Sequence, residues 1–168
     1  MNRLIQRTLS TPVGALRLIG DGEALVGVYF PAHDPAPRVE AHDVERDAIL
    51  DLAARELDEY FAGGRRAFSV PLAAHGTDFQ RAVWLALAAI PYGERRSYLD
   101  IARVVGGQGA TRAVGAANAR NPLSIIVPCH RVVAASGALT GYGGGFAAKR
   151  WLLSHEGARV SGLRPNLL

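Results

Sequence analysis

Ile125-Ile126-Val127-Pro128-Cys129-His130-Arg131-Val132-Val133 is an apolar run that carries the chain's only cysteine, followed at once by a histidine and an arginine. A lone cysteine in such a run is ordinarily a small buried core residue, since free cysteine is among the most buried residue types. Its neighbours argue for more. Pro128 fixes its own φ and biases Val127 toward extended geometry, so the chain is stiff where it presents the thiol. His130 and Arg131 are awkward in a dry core, but a nearby base or cation is what turns a thiol into the reactive thiolate. On an extended segment neighbouring side chains point to opposite faces, so direct contact between Cys129 and His130 is not assured.

Upstream of this run the pattern is helical. Thr77-Asp78-Phe79-Gln80 has the form of a capping box, and Phe79, Val83, Leu87 and Ile90 then fall along one helix face. Pro91-Tyr92-Gly93 ends that helix. Ser97 to Val105 reads as a short helix closed by Gly106-Gly107, and Ala110 to Ala119 as a second one stopped by Asn121-Pro122. Two short helices about a glycine turn fit a helix-turn-helix, although such pairs also occur as plain packing units. The second helix is built of small residues, Ala113, Gly115, Ala116, Ala117 and Ala119. Small residues serve tight core packing, and they also suit entry into a minor groove about 6 Å wide. Arg112 is then the one long side chain placed to push into a base stack.

Downstream, Thr140-Gly141-Tyr142-Gly143-Gly144-Gly145 is a glycine-rich loop without phosphate-loop spacing, and Ala147 to Glu156 reads as a last helix. After Gly157 the tail, with Ser161-Gly162-Leu163-Arg164-Pro165, is expected to be loosely ordered.

The first part of the chain is of a different kind. Leu4 to Leu9, Ala15 to Ile19 and Ala24 to Phe30 read as strands of a small antiparallel sheet, with turn chemistry at Thr11-Pro12-Val13-Gly14 and Gly20-Asp21-Gly22. Pro31 to Arg38 is a loop. From Asp43 the spacing of Ile49, Ala53, Leu57, Tyr60 and Phe61 is helical, Gly63-Gly64 ends it, and Ala67 to Pro71 is a candidate strand. His33, His42 and His75 are scattered and read as surface residues, because metal sites need clustered spacing. The expected organisation is an α/β unit over residues 1–75 and a mostly helical unit over residues 76–168.

Composition is that of a globular protein: 168 residues, 49% hydrophobic and 20% charged, enough for one substantial core or two small ones. Charge divides unevenly. Residues 1–75 hold 8 Arg against 11 Asp and Glu, a net −3, whereas residues 76–168 hold 10 Arg and 1 Lys against 4 acidic residues, a net +7. The second half is the one suited to a polyanion. The opening residues lack a signal peptide's apolar core, and the longest apolar run, Ala82 to Ile90, is too short for a membrane span. One cysteine forms no internal disulfide, so a soluble protein of the reducing cytoplasm, with no membrane partner, is expected.

Arg112-Ala113-Val114-Gly115, Asn118, Asn121-Pro122, Ile126 to Val132 and Gly141-Tyr142-Gly143-Gly144 together closely resemble the O6-alkylguanine-DNA alkyltransferases, from about Gly76 to Gly157. The resemblance implies a ribonuclease-H-like α/β first domain and a helical second domain with a helix-turn-helix. It implies direct-reversal DNA repair, in which an alkyl group moves from O6 of guanine, and from O4 of alkylated thymine, to a cysteine thiolate. The product thioether has no good leaving group, so each molecule acts once. The implied partner is double-stranded DNA, bound through the minor groove with the alkylguanine flipped out. The protein is expected to be a monomer, cooperativity on DNA being left open. No cofactor is implied, and no metal: some relatives bind zinc in the first domain through cysteines this chain lacks.

Carried over by motif, Cys129 is the nucleophile, and His130 and Glu156 join it through a water in a relay. Tyr98 serves the flipped base, as proton donor to guanine N3, and Asn121 braces the turn between recognition helix and cysteine segment. Thr111, Arg112, Ala113 and Gly115 face DNA, with Arg112 as the finger. Tyr142, Gly143 and Gly144 wall the pocket, and the carbonyls of Cys129 and Val132 receive the guanine amino group. Gly143 stands where some relatives carry serine, leaving its backbone N–H as the donor to O6. Three other readings compete: a non-catalytic lesion-binding protein, a Cys-His hydrolase and a DNA-binding regulator. The cysteine opposes the first, and the helix pair in a basic half opposes the second. The third lacks an effector or dimerisation segment.

Overall fold

A computed structural model describes residues 3–157; the tail read as loosely ordered lies outside them. Three strands, β1 (Ile5–Thr11), β2 (Gly14–Gly20) and β3 (Leu25–Tyr29), form the expected antiparallel meander. The β1–β2 turn is fixed by the Thr11 hydroxyl, which donates to the Gly14 carbonyl at 2.7 Å, and by Gly14 itself at φ 108°. Asp21 Oδ1 accepts the N–H groups of Glu23 and Ala24, closing the next turn.

Two expectations in this half are corrected. The helix read from Asp43 begins five residues later: α1 is Ala48–Phe61, with Asp47 as its N-cap accepting from Ile49 and Leu50 N–H. Residues His42–Asp43 instead form β4, which pairs parallel with β1, so the four-stranded sheet, in order β3-β2-β1-β4, is mixed. The open edge of β1 offers backbone partners that this polar segment takes up, Val44 N–H donating to the Gln6 carbonyl. The strand read at Ala67 to Pro71 is reduced to a single bridge of Leu72 to Leu25, the N–H of Leu25 donating to the Pro71 carbonyl. Pro71 has no N–H with which to extend a ladder.

α1 packs its buried stripe, Leu50, Ala53, Leu57 and Tyr60, on the sheet side carrying Leu16 and Leu18. In the second half, α2 (Asp78–Ala88) has the full Thr77–Gln80 capping box and buries Val83, Trp84 and Leu87. After β5 (Arg96–Ser97) come α3 (Tyr98–Val105), capped reciprocally by Ser97 and Asp100, and α4 (Thr111–Ala119), which packs on α2 and α3. β6 (Val132–Val133) pairs parallel with β5, and α5 (Phe146–His155) closes the described chain, with Glu156 at its C-cap.

The halves share one continuous apolar core, running from Leu16 and Leu57 through Trp84 and Val114 to Leu152. A bridge between Val28 and Leu123 stitches β3 to the segment that leads into the cysteine. Among the described residues no helix is long and apolar enough to cross a membrane.

Candidate active site

The cysteine is not presented on an extended segment. Cys129–Arg131 is one turn of 3-10 helix entered from Pro128, with Arg131 N–H donating to the Pro128 carbonyl and Val132 N–H to the Cys129 carbonyl. Pro128 is tolerated where the turn begins because its missing N–H is not needed there. The approach is tightly wound. Ile125 sits at φ 73°, a region that disfavours β-branched residues and costs about 1–3 kcal/mol when surroundings enforce it. What enforces it is Asn121: its side-chain N–H donates to the Val127 carbonyl at 2.8 Å while its Oδ1 accepts Leu123 N–H at 3.0 Å. Asn121 thereby ties the end of the α4 segment to the cysteine turn.

Cys129 is buried, 4% exposed. Burial pushes its thiol pKa up, and the Asn121 side chain, the Tyr142 hydroxyl and the Lys149 charge pull against that. His130 and Arg131 turn away from the thiol toward Glu156. His130 Nε2–H donates to Glu156 Oε2 at 2.8 Å, and Arg131 forks onto both carboxylate oxygens, from Nε at 2.7 Å and from its terminal nitrogen at 3.1 Å. Arg131 also donates to the Ile90 carbonyl at 2.6 Å. Burial alone would raise the Glu156 carboxyl, but the His130 bond and the Arg131 fork outweigh it and hold the group well below the usual carboxylate range.

For His130, burial pushes the pKa down and Glu156 offsets only part of that. The imidazole is therefore neutral at neutral pH, with its proton on Nε2 facing Glu156. Nδ1, buried and without a hydrogen-bond partner among the described residues, is left as the basic nitrogen.

Tyr98 opens α3, and its hydroxyl shares a 2.6 Å hydrogen bond with Thr140 Oγ1; burial raises its pKa, so it keeps its proton. Burial and the facing Cys129 likewise hold the Tyr142 phenol protonated, and that hydroxyl meets the thiol side without a hydrogen bond of ordinary geometry. Gly143 and Gly144 are pressed from outside by the loop after β3. A Cβ on Gly143 would lie 2.6 Å from His33 Nε2, one on Gly144 2.5 Å from the Phe30 ring, and Asp34 N–H donates to the Gly143 carbonyl. His33, read as a surface residue, is in fact buried against Tyr29 and Phe30. Val132 is wholly buried at the start of β6, and the Cys129 carbonyl already accepts its N–H.

Cys129, His130, Glu156, Asn121, Tyr98, Tyr142, Gly143 and Gly144 thus converge. Thr111, Arg112, Ala113 and Gly115 make no hydrogen bond or ion pair with this group and lie on α4, whose buried face is Val114, Ala117 and Asn118. Its outer face exposes Arg112, Ala113, Ala116, Ala119 and Arg120. Core packing does not explain the small residues there: a Cβ on Gly115 would meet nothing within 4 Å.

Three participants escaped the sequence reading. Tyr60 looked like a core residue of α1, but its hydroxyl donates to Glu156 Oε2 at 2.6 Å. Lys149, the only lysine, is fully buried with no hydrogen-bond partner for its ammonium, and burial lowers its pKa to about 8. His33 backs the glycine loop. Only the isolation of Lys149 in an arginine-rich chain was a signal visible beforehand. No cluster of three His, Cys, Asp or Glu side chains able to hold a metal ion occurs among the described residues.

Residues 4–74 match the ribonuclease-like domain of 6-O-methylguanine DNA methyltransferase, and residues 78–158 match the DNA binding domain of the same family. Over 148 residues the chain is 48% identical to the methylated-DNA–protein-cysteine methyltransferase of Methanosarcina acetivorans, covering 88% of this chain and 95% of that one. It is 48% identical over 154 residues to the protein of that name from Mycobacterium tuberculosis, covering 92% and 93%. The fold is similar to the crystal structure of Mycobacterium tuberculosis OGT in complex with DNA, with a TM-score of 0.84 over 90% of this chain and 92% of that chain at 48% identity.

Proposed function

Because this chain belongs to the 6-O-methylguanine DNA methyltransferase family, we propose that it repairs double-stranded DNA by moving an alkyl group from O6 of guanine, or O4 of thymine, to Cys129, once per molecule. The observation that supports the site assignment is a buried thiol followed in the same turn by an imidazole whose Nε2 proton is committed to Glu156 and whose Nδ1 has no partner among the described residues.

The thiol proton passes to His130 Nδ1 by way of a bridging water, and Glu156 stabilises the imidazolium. The sulfur then forms a bond to the alkyl carbon as the C–O6 bond breaks, its electron pair going to O6 and the purine ring. Tyr98 gives that ring a proton at N3. The imidazolium proton returns to Tyr98, and the N3 proton exchanges through water to N1, so the products are a thioether and an unmodified guanine. A soft thiolate suits attack at saturated carbon. Asn121 and Tyr142 hold the sulfur in line, and the Gly143 N–H faces O6.

α4 enters the minor groove on its alanine face, with Arg112 filling the gap left by the flipped nucleotide. Thr111, Ala113 and Gly115 keep the approach close. Since Cys129 lies beneath Tyr142 and the glycine loop, that loop lifts to admit the base. Monomeric action in the cytoplasm completes the reading.

Duplex DNA carrying O6-methylguanine, incubated with the protein, should add one methyl to its intact mass, permanently and at Cys129, and Cys129→Ser should abolish the gain. Repeated turnover would point to a hydrolase, and binding without an adduct to a lesion-binding protein; either overturns the proposal.

A further inference from the structure

Glu156 Oε2 receives three hydrogen bonds, two from the cysteine turn, the His130 imidazole at 2.8 Å and the Arg131 terminal nitrogen at 3.1 Å, and one from the other half of the chain, the Tyr60 hydroxyl of α1, at 2.6 Å. All three donors and the carboxylate are buried. The main chain repeats the tie, because the Tyr60 carbonyl is 2.7 Å from Nε2 of His155, the residue just before Glu156. The Tyr60 ring is wedged edge-on against Phe61, Tyr92 and His155. A hydroxyl held this firmly on a catalytic carboxylate does more than fill space. It occupies one lone pair of the oxygen that supports the imidazole and so leaves that oxygen a weaker acceptor toward His130. Burial raises the Tyr60 phenol far above its ordinary range, so it stays a donor throughout the working pH range.

We propose that Tyr60 is a positioning residue through which the first half of the chain sets the alkyl-transfer chemistry: its hydroxyl fixes the Glu156 carboxylate against His130 and tempers the basicity of the imidazole that takes the Cys129 proton. The inference rests on the function proposed above. The groups facing this centre are, for Glu156, Tyr60 on α1, Tyr92 after α2, His130 and Arg131 on the cysteine turn, and Tyr142 of the glycine loop. For His130 they are Glu156, Arg131 and Lys149 of α5. Arg131 and Lys149 bear on the imidazole with positive charge and oppose its protonation; Tyr60 acts in the same direction by drawing on the carboxylate.

The sign follows. Weakening the Tyr60 donor frees Oε2 for the imidazolium and raises the His130 pKa, so the acid limb of the rate profile moves to higher pH. Strengthening the donor moves it to lower pH. The probe is the free base O6-benzylguanine, whose single-turnover transfer to the full chain is followed by intact mass from about pH 5 to pH 9. Tyr60→Phe should raise the acid midpoint by about half a unit. A fluorotyrosine placed at position 60 alone, isosteric but a stronger donor, should lower it. Phe61→Leu, which loosens the same aromatic cluster without touching the hydroxyl, should lower Tm and leave the midpoint in place.

A fluorotyrosine protein with an unmoved midpoint overturns the inference even if Tyr60→Phe does not fold, and so does a Phe61→Leu midpoint that moves as far as that of Tyr60→Phe. Failure of the wild-type chain to take up the benzyl group would instead sink the underlying function, before Tyr60 is tested at all.

Discussion

The outer face of α4 and the surroundings of Cys129 are built on opposite plans. On α4 the exposed positions are alanines between Arg112 at the first turn and Arg120 at the C-cap, and a Cβ on Gly115 among them would meet nothing within 4 Å. Beside Cys129, both oxygens of the Glu156 carboxylate are tied, by donors from α1 and the cysteine turn, and the Arg131 fork is itself held by the Ile90 carbonyl after α2. A surface that must admit a partner closely works by leaving space, while a centre that must hold a proton in one place works by over-determination. The two should therefore fail differently when changed.

The largest effect is expected at the over-determined centre. Glu156→Gln leaves buried Arg131 without its countercharge and His130 without its anion. Stability to chemical denaturation should fall by about 3 to 5 kcal/mol, and single-turnover transfer by about a hundredfold or more. The contrast sharpens with Ala116→Leu on α4. Repair of duplex DNA should drop about thirtyfold, the equivalent of ~2 kcal/mol, while Tm and reaction with free O6-benzylguanine stay near wild type, because the added side chain meets only the groove. Arg112→Ala should slow duplex repair about tenfold, or ~1.4 kcal/mol, and again spare the free base; equal losses on both substrates would place Arg112 in the wrong role.

The smallest effect is electrostatic. Lys149→Met removes the ammonium that pulls the Cys129 thiol down, so thiolate formation should move to higher pH by about half a unit, slowing transfer about threefold near neutrality. Because burial brings Lys149 itself to about 8, the wild type loses that charge above this pH. The two pH–rate profiles should then converge, and profiles that stay parallel through pH 9 would exclude an electrostatic role.

How far the sequence could be read follows the range of the forces involved. The Thr77–Gln80 capping box, the glycine stops and the strands of the meander are local, and each appeared in place. The cysteine motif was legible as well, because a proline, a thiol, an imidazole and a guanidinium in succession leave few chemical uses. What escaped is non-local. β4 is two residues with no alternation, and its pairing is offered by the open edge of β1. Tyr60 satisfies every criterion of a core helix residue, and only the return of Glu156 from the far end of the chain gives its hydroxyl a second meaning. Buried His33 owes its place to glycines more than a hundred positions away. The 3-10 turn at Cys129 is approached through the Asn121 brace, a side-chain bond that spans six positions and leaves no local pattern.

The contact between His33 and Gly143 also bears on how this protein can diverge. With His33 Nε2 only 2.6 Å from where a side chain at position 143 would begin, a serine there forces the His33 ring out of its place. The two positions are thereby coupled across the boundary between the halves. Gly143→Ser alone should be a harmful change, and His33→Ala made beforehand should render it harmless, so the order of substitutions decides which descendants are reachable.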